Sequence, residues 1–165
     1  VAHGEIDVGV LADAGAQGAG VVLWPYRQDR LVLIVPQGHV LAQRASVAFA
    51  EVLDQAFVML HSGSAIDTFT KNSASALDRH LYFFIQVRSF EAVCRMVGAG
   101  VGIGLVPRSA VPRAGLSEPP VVVALDEAWA QRDLQVCVRQ GVELSGFASA
   151  LVQHLRASSG GAVPA

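Results

Sequence analysis

Four glycines at alternate positions constrain the fold of this chain more than any other feature. They stand in segment 98–104, between a predicted helix that Ser89 can cap and a short apolar strand that ends at Pro107. The glycines let the backbone turn sharply and pass close to another part of the molecule or to a ligand. The order strand, helix, glycine turn, strand is typical of an α/β protein, and the helix start could hold a small anionic molecule.

The composition limits the classes of protein to which the chain can belong. Of its 165 residues, 52% are apolar and 16% are charged, which is typical of a folded domain with a sizeable core. The formal net charge is -2 and no basic block stands out, so we expect this segment to bind nucleic acid poorly by itself. No apolar run reaches about 18 residues, and no basic region followed by an apolar stretch opens the chain. Neither a membrane span nor a signal peptide is therefore expected.

Short apolar segments alternate with amphipathic ones, which predicts an α/β fold with mostly parallel sheets. Residues 27–30 are interpreted as a polar connection between two strands. The predicted strands are 5–11, 21–26, 31–36, 56–60, 82–87, 121–125 and 134–139, together with the strand that follows the glycines. The predicted helices are 46–54, 66–79, the one that Ser89 caps, and one that begins at Ser145 and runs to about residue 157.

Two stretches that contain proline and glycine, 35–45 and 112–120, are interpreted as crossings between two lobes. They assign residues 38–118 to a second lobe, and residues 1–37 with 119–165 to a first lobe. Two lobes joined by two crossings predict a ligand cleft at strand ends and helix starts.

The residue types that carry catalysis or bind metals show no familiar pattern. The five histidines lack the spacing of a metal site, so no metal is expected. Ser62 lies in the sequence His-Ser-Gly-Ser-Ala, which is not the G-x-S-x-G elbow of a serine hydrolase. A capping or ligand-contacting role for Ser62 or Ser64 is favoured instead, and we expect neither a cofactor nor enzyme activity.

Two cysteines, Cys94 and Cys137, lie far apart in the sequence, one in a helix pattern and one in a strand pattern. The favoured interpretation is a pair of buried free thiols in a reducing compartment, and a redox pair is the alternative.

The whole chain resembles the effector-binding domain of LysR-type transcriptional regulators. The resemblance depends on the order and spacing of several short motifs. These are Gly4-Glu5-Ile6-Asp7-Val8-Gly9-Val10, Leu31-Val32-Leu33-Ile34-Val35-Pro36, Gly38-His39-Val40-Leu41-Ala42, Phe57-Val58-Met59-Leu60, Ser89-Phe90-Glu91-Ala92-Val93, the segment from Val97 through the glycines to Pro107, Arg132-Asp133-Leu134 and Leu144-Ser145-Gly146-Phe147.

The resemblance implies a fold like that of type II periplasmic binding proteins, with two α/β lobes joined by two crossovers. It also implies a cytoplasmic bacterial regulator that forms a homodimer or homotetramer and senses a small effector in the interlobe cleft. In the family, a separate N-terminal winged helix-turn-helix binds DNA. The present sequence opens where the family's first lobe is already partly built, so we expect that lobe to be incomplete and the DNA-binding part to lie outside this chain.

The resemblance also implies which positions contact the effector. The contacts are expected from the turn after the fourth predicted strand, from the next helix start, from the glycine turn and from the end of the first strand. The corresponding residues are His61, Ser62, Gly63, Ser64, Ser89, Phe90, Val101, Gly102, Ala12 and Asp13. Helix starts carry partial positive charge, so a carboxylate effector is expected, although Asp13 would oppose an anion if it points into the cleft.

The sequence also leaves a second function open. A solute-binding protein of a transport system has the same architecture but is exported. The coding sequence upstream would discriminate the two, because a helix-turn-helix there indicates the regulator and a signal peptide indicates the transporter component.

The predicted helix 66–79 bears on assembly, because one side of it is largely apolar. In the family, the matching helix lies beside a first-lobe helix of a partner subunit, so the resemblance implies a dimer or a larger assembly. A plain surface helix is the alternative.

Overall fold

The longest strand, β2 (Val21–Val35), runs through both of the compact units into which the chain folds. The computed structural model describes residues 1, 6–12 and 20–158. The first unit comprises residues 1–29 and 131–165, and the second comprises residues 30–130. The lobe boundaries 37/38 and 118/119 stay a prediction. In the structure, the second half of β2 pairs with strands of the second unit.

A single strand replaces the two strands that the sequence predicted on either side of residues 27–30. The polar side chains of this stretch find partners within the sheet, so the strand does not need to break. Gln28 Nε2 donates to Asp133 Oδ1 at 3.0 Å, and Arg27 lies over the ring of Tyr26 with its guanidinium carbon 4.3 Å from the ring centroid.

An ion pair between Asp29 and Arg132 also belongs to this stretch. Asp29 is 5% exposed, and its Oδ2 lies 3.6 Å from Arg132 Nη2. Burial lowers the pKa of the Arg132 guanidinium, and the charge of Asp29 acts in the opposite direction. Asp29 is therefore compatible with burial because the charge of Arg132 compensates its own, while Gln28 and Arg30 are exposed.

In the first unit, β1 (Val8–Ala12) pairs antiparallel with β8 (Gln131–Arg139), and β8 lies beside β2. Helix α4 (Gly146–Ala157) packs on this sheet through Val152. Ser145 Oγ accepts a hydrogen bond from the Ala148 amide, so the predicted cap of this helix is confirmed.

In the second unit, the end of β2 pairs antiparallel with both β6 (Gly104–Pro107) and β7 (Val121–Leu125). The predicted parallel arrangement is therefore wrong for these longer strands, because their partners come from distant parts of the chain. The short strand β3 (Ser46–Val47) adds parallel to β7. The predicted helix 46–54 is thus wrong at its start, because Ser46 and Val47 join the sheet and only α1 (Phe49–Val52) is helical. Ser46 has a β-strand partner in β7, which local sequence does not reveal.

A separate pair of parallel strands, β4 (Ala56–Leu60) and β5 (Tyr82–Val87), carries the two long helices of this unit. The helices α2 (Ala65–Ser75) and α3 (Phe90–Gly98) belong to different apolar clusters. One cluster joins Phe57, Met59 and Ile66, and the other joins Val58, Val93 and Val97. Because β4 contributes to both clusters, it is buried on both faces, as parallel strands in α/β proteins are.

Helix α2 ends four residues before the predicted limit of residue 79. Asp78 has φ 54°, a left-handed conformation that does not continue a right-handed helix. Leu77 lies in this turn with 47% of its surface exposed, so it does not extend the apolar side of the predicted helix.

The glycine segment packs against β4. The Ile103 amide donates to Ala56 O at 2.9 Å, and the Val58 amide donates to Ile103 O at 2.8 Å. A Cβ at position 102 would clash with the carbonyl oxygen of Ala56, and one at position 104 would lie 2.9 Å from Cγ1 of Val93. The sequence indicated a close approach here, and the structure shows that the approached element is a strand of the same unit.

We predict that Gly102→Ala destabilises the chain by about 1–3 kcal/mol, because the new methyl group meets backbone that cannot rotate away. Denaturant unfolding of both proteins gives the difference in the free energy of unfolding. Gly38→Ala is the matched control, since a Cβ at position 38 has no heavy atom within 4 Å. We expect this control to stay within about 0.5 kcal/mol of the unsubstituted chain. Equal stability of the two variants would contradict the packing role of Gly102.

Candidate functional site

The carboxyl ends of β4 and β5 lie side by side and form the candidate site. Leu60 is in register with Val87, and the next amide along, that of His61, donates to Val87 O at 2.8 Å. Each strand is followed at once by a helix start, α2 after a short turn and α3 after two residues. In open α/β sheets, ligands bind outside the carboxyl ends of the strands, where helix starts supply unpaired amides.

The turn 61–64 connects β4 to α2. Gly63 has φ 83°, a left-handed conformation that glycine adopts without strain. The Ser64 amide donates to His61 O at 3.2 Å, which closes the turn, and Ser64 Oγ accepts from the Asp67 amide at 3.3 Å. Residues 61–63 are exposed and Ser64 is half-buried. Residues 61–63 are therefore accessible to a ligand, whereas the Ser64 hydroxyl caps the helix and so stabilises it.

A buried carboxylate, Asp67, lies in the first turn of α2. Its side chain is 2% exposed. Asp67 Oδ2 accepts from the Gly63 amide at 3.0 Å and from Lys71 Nζ at 2.8 Å, and Oδ1 lies 3.5 Å from Gln86 Nε2. The sequence analysis did not single out Asp67. The pattern Ser64-x-x-Asp67, which is that of a capping box, was the signal that could have found it.

The second helix start is more open than the first. Ser89 is exposed, and its Oγ accepts from the Ala92 amide at 3.2 Å, so the predicted cap of α3 is confirmed. Glu91 and Arg95 form an ion pair of 2.9 Å on the surface, with about three fifths of each side chain exposed. Arg88, which precedes the cap, is also exposed. A cation beside a helix start makes this place favourable for an anion.

The amides that face this edge determine what the site can bind. A helix leaves its first amides without an intrahelical partner, and at each start the serine cap satisfies only one of them. The amides of Ala65 and Ile66 in α2, and of Phe90 and Glu91 in α3, are left for another acceptor. These two groups of donors lie at the helix starts that follow two adjacent strands. Together they can bind a small molecule that carries carboxylate or hydroxyl oxygens.

The structure does not bring all predicted contacts to this edge. Gly102 lies against Ala56, the first residue of β4, with Val101 just before it. These two residues are at the opposite end of β4 from the turn 61–64, a separation of about 13 Å along the strand. The position follows from the parallel pairing of Ile103 with Phe57.

The two remaining predicted contacts belong to the other unit. Ala12 ends β1 and is in register with Leu134 of β8. Asp13 lies outside the residues that the structure describes.

A concavity lies on the same unit, away from the helix starts. Its volume is about 380 Å³, and its walls are mainly apolar. Its lining is formed by Phe49, Ala50, Phe69, Asn72, Ser73, Ala76, Leu77, Glu127 and Trp129. Glu127 carries the one formal charge among these lining residues, all of which are described, and its Oε1 accepts from the Phe49 amide at 2.6 Å. A negative charge in an apolar wall does not suit an anionic ligand.

Metal-binding side chains, thiols and apolar helices are the other features of the described residues that bear on function. Within 1, 6–12 and 20–158, no group of three or more His, Cys, Asp or Glu side chains is placed to hold a metal ion. Cys94 and Cys137 are both free and buried. None of the helices in this part of the chain is long and apolar enough to cross a membrane.

Known proteins resemble this chain in sequence and in fold. A probable RuBisCO transcriptional regulator of Emiliania huxleyi is 29% identical over 119 residues, which are 68% of this chain and 38% of that protein. A hydrogen peroxide-inducible genes activator of Dickeya chrysanthemi is 25% identical over 157 residues, 93% of this chain and 50% of that protein. The chain thus spans half or less of the length of these two curated relatives.

Solved structures agree on the architecture. The regulatory domain of CcmR from Synechocystis PCC6803, in complex with 2-PG, superimposes with a TM-score of 0.81 at 20% identity, covering 96% of this chain and 76% of that one. The effector binding domain of QuiR, in complex with shikimate, gives a TM-score of 0.74 at 14% identity, covering 95% and 73%. The expected α/β fold of LysR effector domains, similar to type II periplasmic binding proteins, is confirmed.

The family itself follows from a match to nearly the whole sequence. Residues 1–160 match the model of the LysR substrate binding domain, and these residues include the β4–β5 edge described above. The chain therefore belongs to the LysR substrate binding domain family.

Proposed function

We propose that this domain senses a small anionic effector at the carboxyl edge of β4 and β5 and so controls a LysR-type transcriptional regulator. The observation that carries the proposal is the adjacency of two capped helix starts, which the hydrogen bond from the His61 amide to Val87 O holds together. The effector contacts are the exposed residues 61–63, the amides behind the cap Ser64, and Ser89 with the first turn of α3. Val101 and Gly102 are left out because they lie at the other end of β4.

The ligands bound to two structural relatives support the proposal that the effector is a small anion. Shikimate is a hydroxylated carboxylate, and 2-PG is likewise a small organic anion. Both present oxygen atoms that accept hydrogen bonds from amides and serine hydroxyls. The donors at the β4–β5 edge would serve such a molecule without a metal or a cofactor.

The regulator as a whole would act on DNA through a winged helix-turn-helix that lies outside this chain. We infer that it works in the cytoplasm as a homodimer or homotetramer, as family membership implies. The exposed apolar side chains of the second unit support an assembly surface. Tyr82 and Phe84 are 60% and 54% exposed on β5, and Leu77 after α2 is 47% exposed.

Redox chemistry at the cysteines, the alternative that the sequence left open, is not favoured in this chain. Burial raises the pKa of the Cys94 thiol, and the nearby charge of Glu91 acts in the same direction. The thiolate is the form that reacts with oxidants, so a raised pKa opposes reactivity near neutral pH.

We predict that Ser62→Phe weakens binding of a small carboxylate at least tenfold while leaving the melting temperature of the free domain unchanged. Ser62 is exposed in the turn, so the ring obstructs the site without disturbing the core. Calorimetry with a carboxylate identified by thermal-shift screening measures the affinity. Ser75→Phe, at the last residue of α2, is the matched control and should bind normally. Unchanged affinity in Ser62→Phe would move the site elsewhere.

We predict that the domain releases its ligand chemically unaltered, because a sensor needs binding without turnover. The ligand would be incubated with the protein for many hours and then analysed by mass spectrometry. Ligand incubated without protein is the control. Reproducible, protein-dependent conversion would contradict the sensor function.

We predict that native Cys94 reacts slowly with a thiol reagent at pH 7 and rapidly after unfolding, because it is buried and its pKa is raised. The raised pKa favours the protonated thiol in the folded state. Its contribution to stability is therefore complete below the unfolded pKa, near 9.0, and is lost as the pH rises through the folded value. Labelling rates measured against pH, with Cys137→Ser to isolate Cys94, test the reactivity of the thiol, and denaturant unfolding at the same pH values tests its contribution to stability. Fast labelling of the native protein at pH 7 would favour redox chemistry.

A further inference from the structure

The concavity beside Trp129 has no role in the proposed function. It lies within the second unit and is bordered by α1, the second half of α2 and the turn that precedes β8. Its volume of about 380 Å³ is that of a small-molecule site. The walls are mainly apolar, and Glu127 is the one charged residue among the lining residues, all of which are described. The concavity can therefore hold a small molecule with an apolar body, and Glu127 determines which charge that molecule would carry.

The contacts of Glu127 satisfy its negative charge only in part. Oε1 accepts a hydrogen bond from the Phe49 amide at 2.6 Å, at the start of the one-turn helix α1. Oε2 is buried and accepts no hydrogen bond from the described residues. None of the ion pairs among these residues involves Glu127. Withdrawing a carboxylate from water without a cation beside it costs free energy, so a positive charge in the concavity would stabilise it.

Aromatic rings supply a second attraction for a cation. Trp129 contacts Phe49 and Phe69, with ring centroids 5.3 and 5.2 Å away and interplanar angles of 89° and 67°. Rings that meet at such steep angles form a corner instead of a stack. The face of an aromatic ring, and of tryptophan above all, attracts a cation within about 6 Å. Phe69 and Trp129 are partly exposed and line the concavity, so a ligand there can contact both rings.

The burial of Glu127 Oε2 favours one class of cation. Because this atom has almost no exposed surface, the carboxylate attracts a ligand by its charge and not by a direct hydrogen bond from Oε2. Primary ammonium and guanidinium groups need several acceptors in place of water, and the walls here are mainly apolar. A quaternary ammonium group has no N–H donors to satisfy, and it is the class that aromatic sites bind.

We propose that the concavity binds a small organic cation of the quaternary ammonium class. The charge of Glu127 and the rings of Trp129 and Phe69 are its binding groups. The concavity shares no residue with the β4–β5 edge, so the inference goes beyond the proposed function and does not depend on it. It gives the domain a place for a second ligand, opposite in charge to the proposed effector.

The test compares choline with its neutral isostere, the alcohol in which a carbon atom replaces the nitrogen. Each is titrated into the chain at constant ionic strength, because salt screens charges, and followed by NMR. The indole N–H of Trp129 and the amides of residues 72–76 report on the concavity, and the indole of Trp24, in the first unit, is the internal control. Choline should shift the Trp129 signal saturably and leave Trp24 unchanged. The isostere lacks the charge and should bind roughly tenfold more weakly.

Glu127→Gln removes the charge without removing the acceptor at the start of α1. The amide oxygen of glutamine can still accept from the Phe49 amide. Choline should bind this variant roughly tenfold more weakly than the unsubstituted chain. Asp126→Asn changes the net charge equally at an exposed residue outside the lining, so this matched control should bind choline like the unsubstituted chain. If Glu127→Gln fails to fold, the comparison of choline with its isostere on the unsubstituted chain still decides.

Several results would overturn the proposal. Equal binding of choline and its isostere would show an apolar site without a preference for charge. Unchanged affinity in Glu127→Gln, or no response of Trp129 to choline, would equally contradict it, as would shifts at Trp24 as large as those at Trp129. If the signals of Trp129 and residues 72–76 move with protein concentration alone, the concavity belongs to a contact with a second copy of this chain. None of these results bears on the carboxyl edge of β4 and β5.

Discussion

The contact between the glycine segment and β4 is the constraint on which the second unit depends. The backbone of Ile103 bonds to both Ala56 and Val58, and side chains are excluded at positions 102 and 104. Because the chain then continues into β6, which pairs with β2, this contact ties the β4–β5 strand pair to the longer sheet. The position and direction of β4 follow from it, and so does the edge at which β4 and β5 end.

At that edge, helix capping and the proposed ligand binding share one place. Ser64 and Ser89 each satisfy one first-turn amide, which stabilises the helix and leaves other amides open. The same few first-turn amides therefore serve both the stability of the helices and the proposed binding of a ligand. Asp67 makes the two helix starts chemically different, since it places a buried charge at one of them and leaves the other to exposed, screened charges.

Much of this architecture could be predicted from the sequence, because helix caps and apolar runs are local signals. The caps Ser89 and Ser145 and the strands β4, β5 and β7 were predicted correctly. The single strand β2 and the strand β3 were not, because each depends on partners distant in the sequence. Asp29 is compatible with a buried strand only beside Arg132, and Ser46 joins a strand only beside β7.

The candidate site was likewise predicted only in part, since some of its features depend on distant parts of the chain. The turn 61–64 and the start of α3 were predicted from the resemblance to the family, and the structure brings them together. Val101 and Gly102 were also assigned to the ligand from the resemblance, but the structure places them at the other end of β4, and that position depends on the long-range pairing of Ile103 with Phe57. Asp67 was missed because an acidic residue near a helix start is common on protein surfaces, and its burial becomes visible only in three dimensions.

A crystal structure of this domain with a bound carboxylate tests the central claim most directly. The ligand should be the small carboxylate that raises the melting temperature most. The account predicts its oxygens within about 3 Å of the amides at the starts of α2 and α3. A ligand seated instead in the aromatic concavity beside Trp129, with both helix starts empty, would contradict the account.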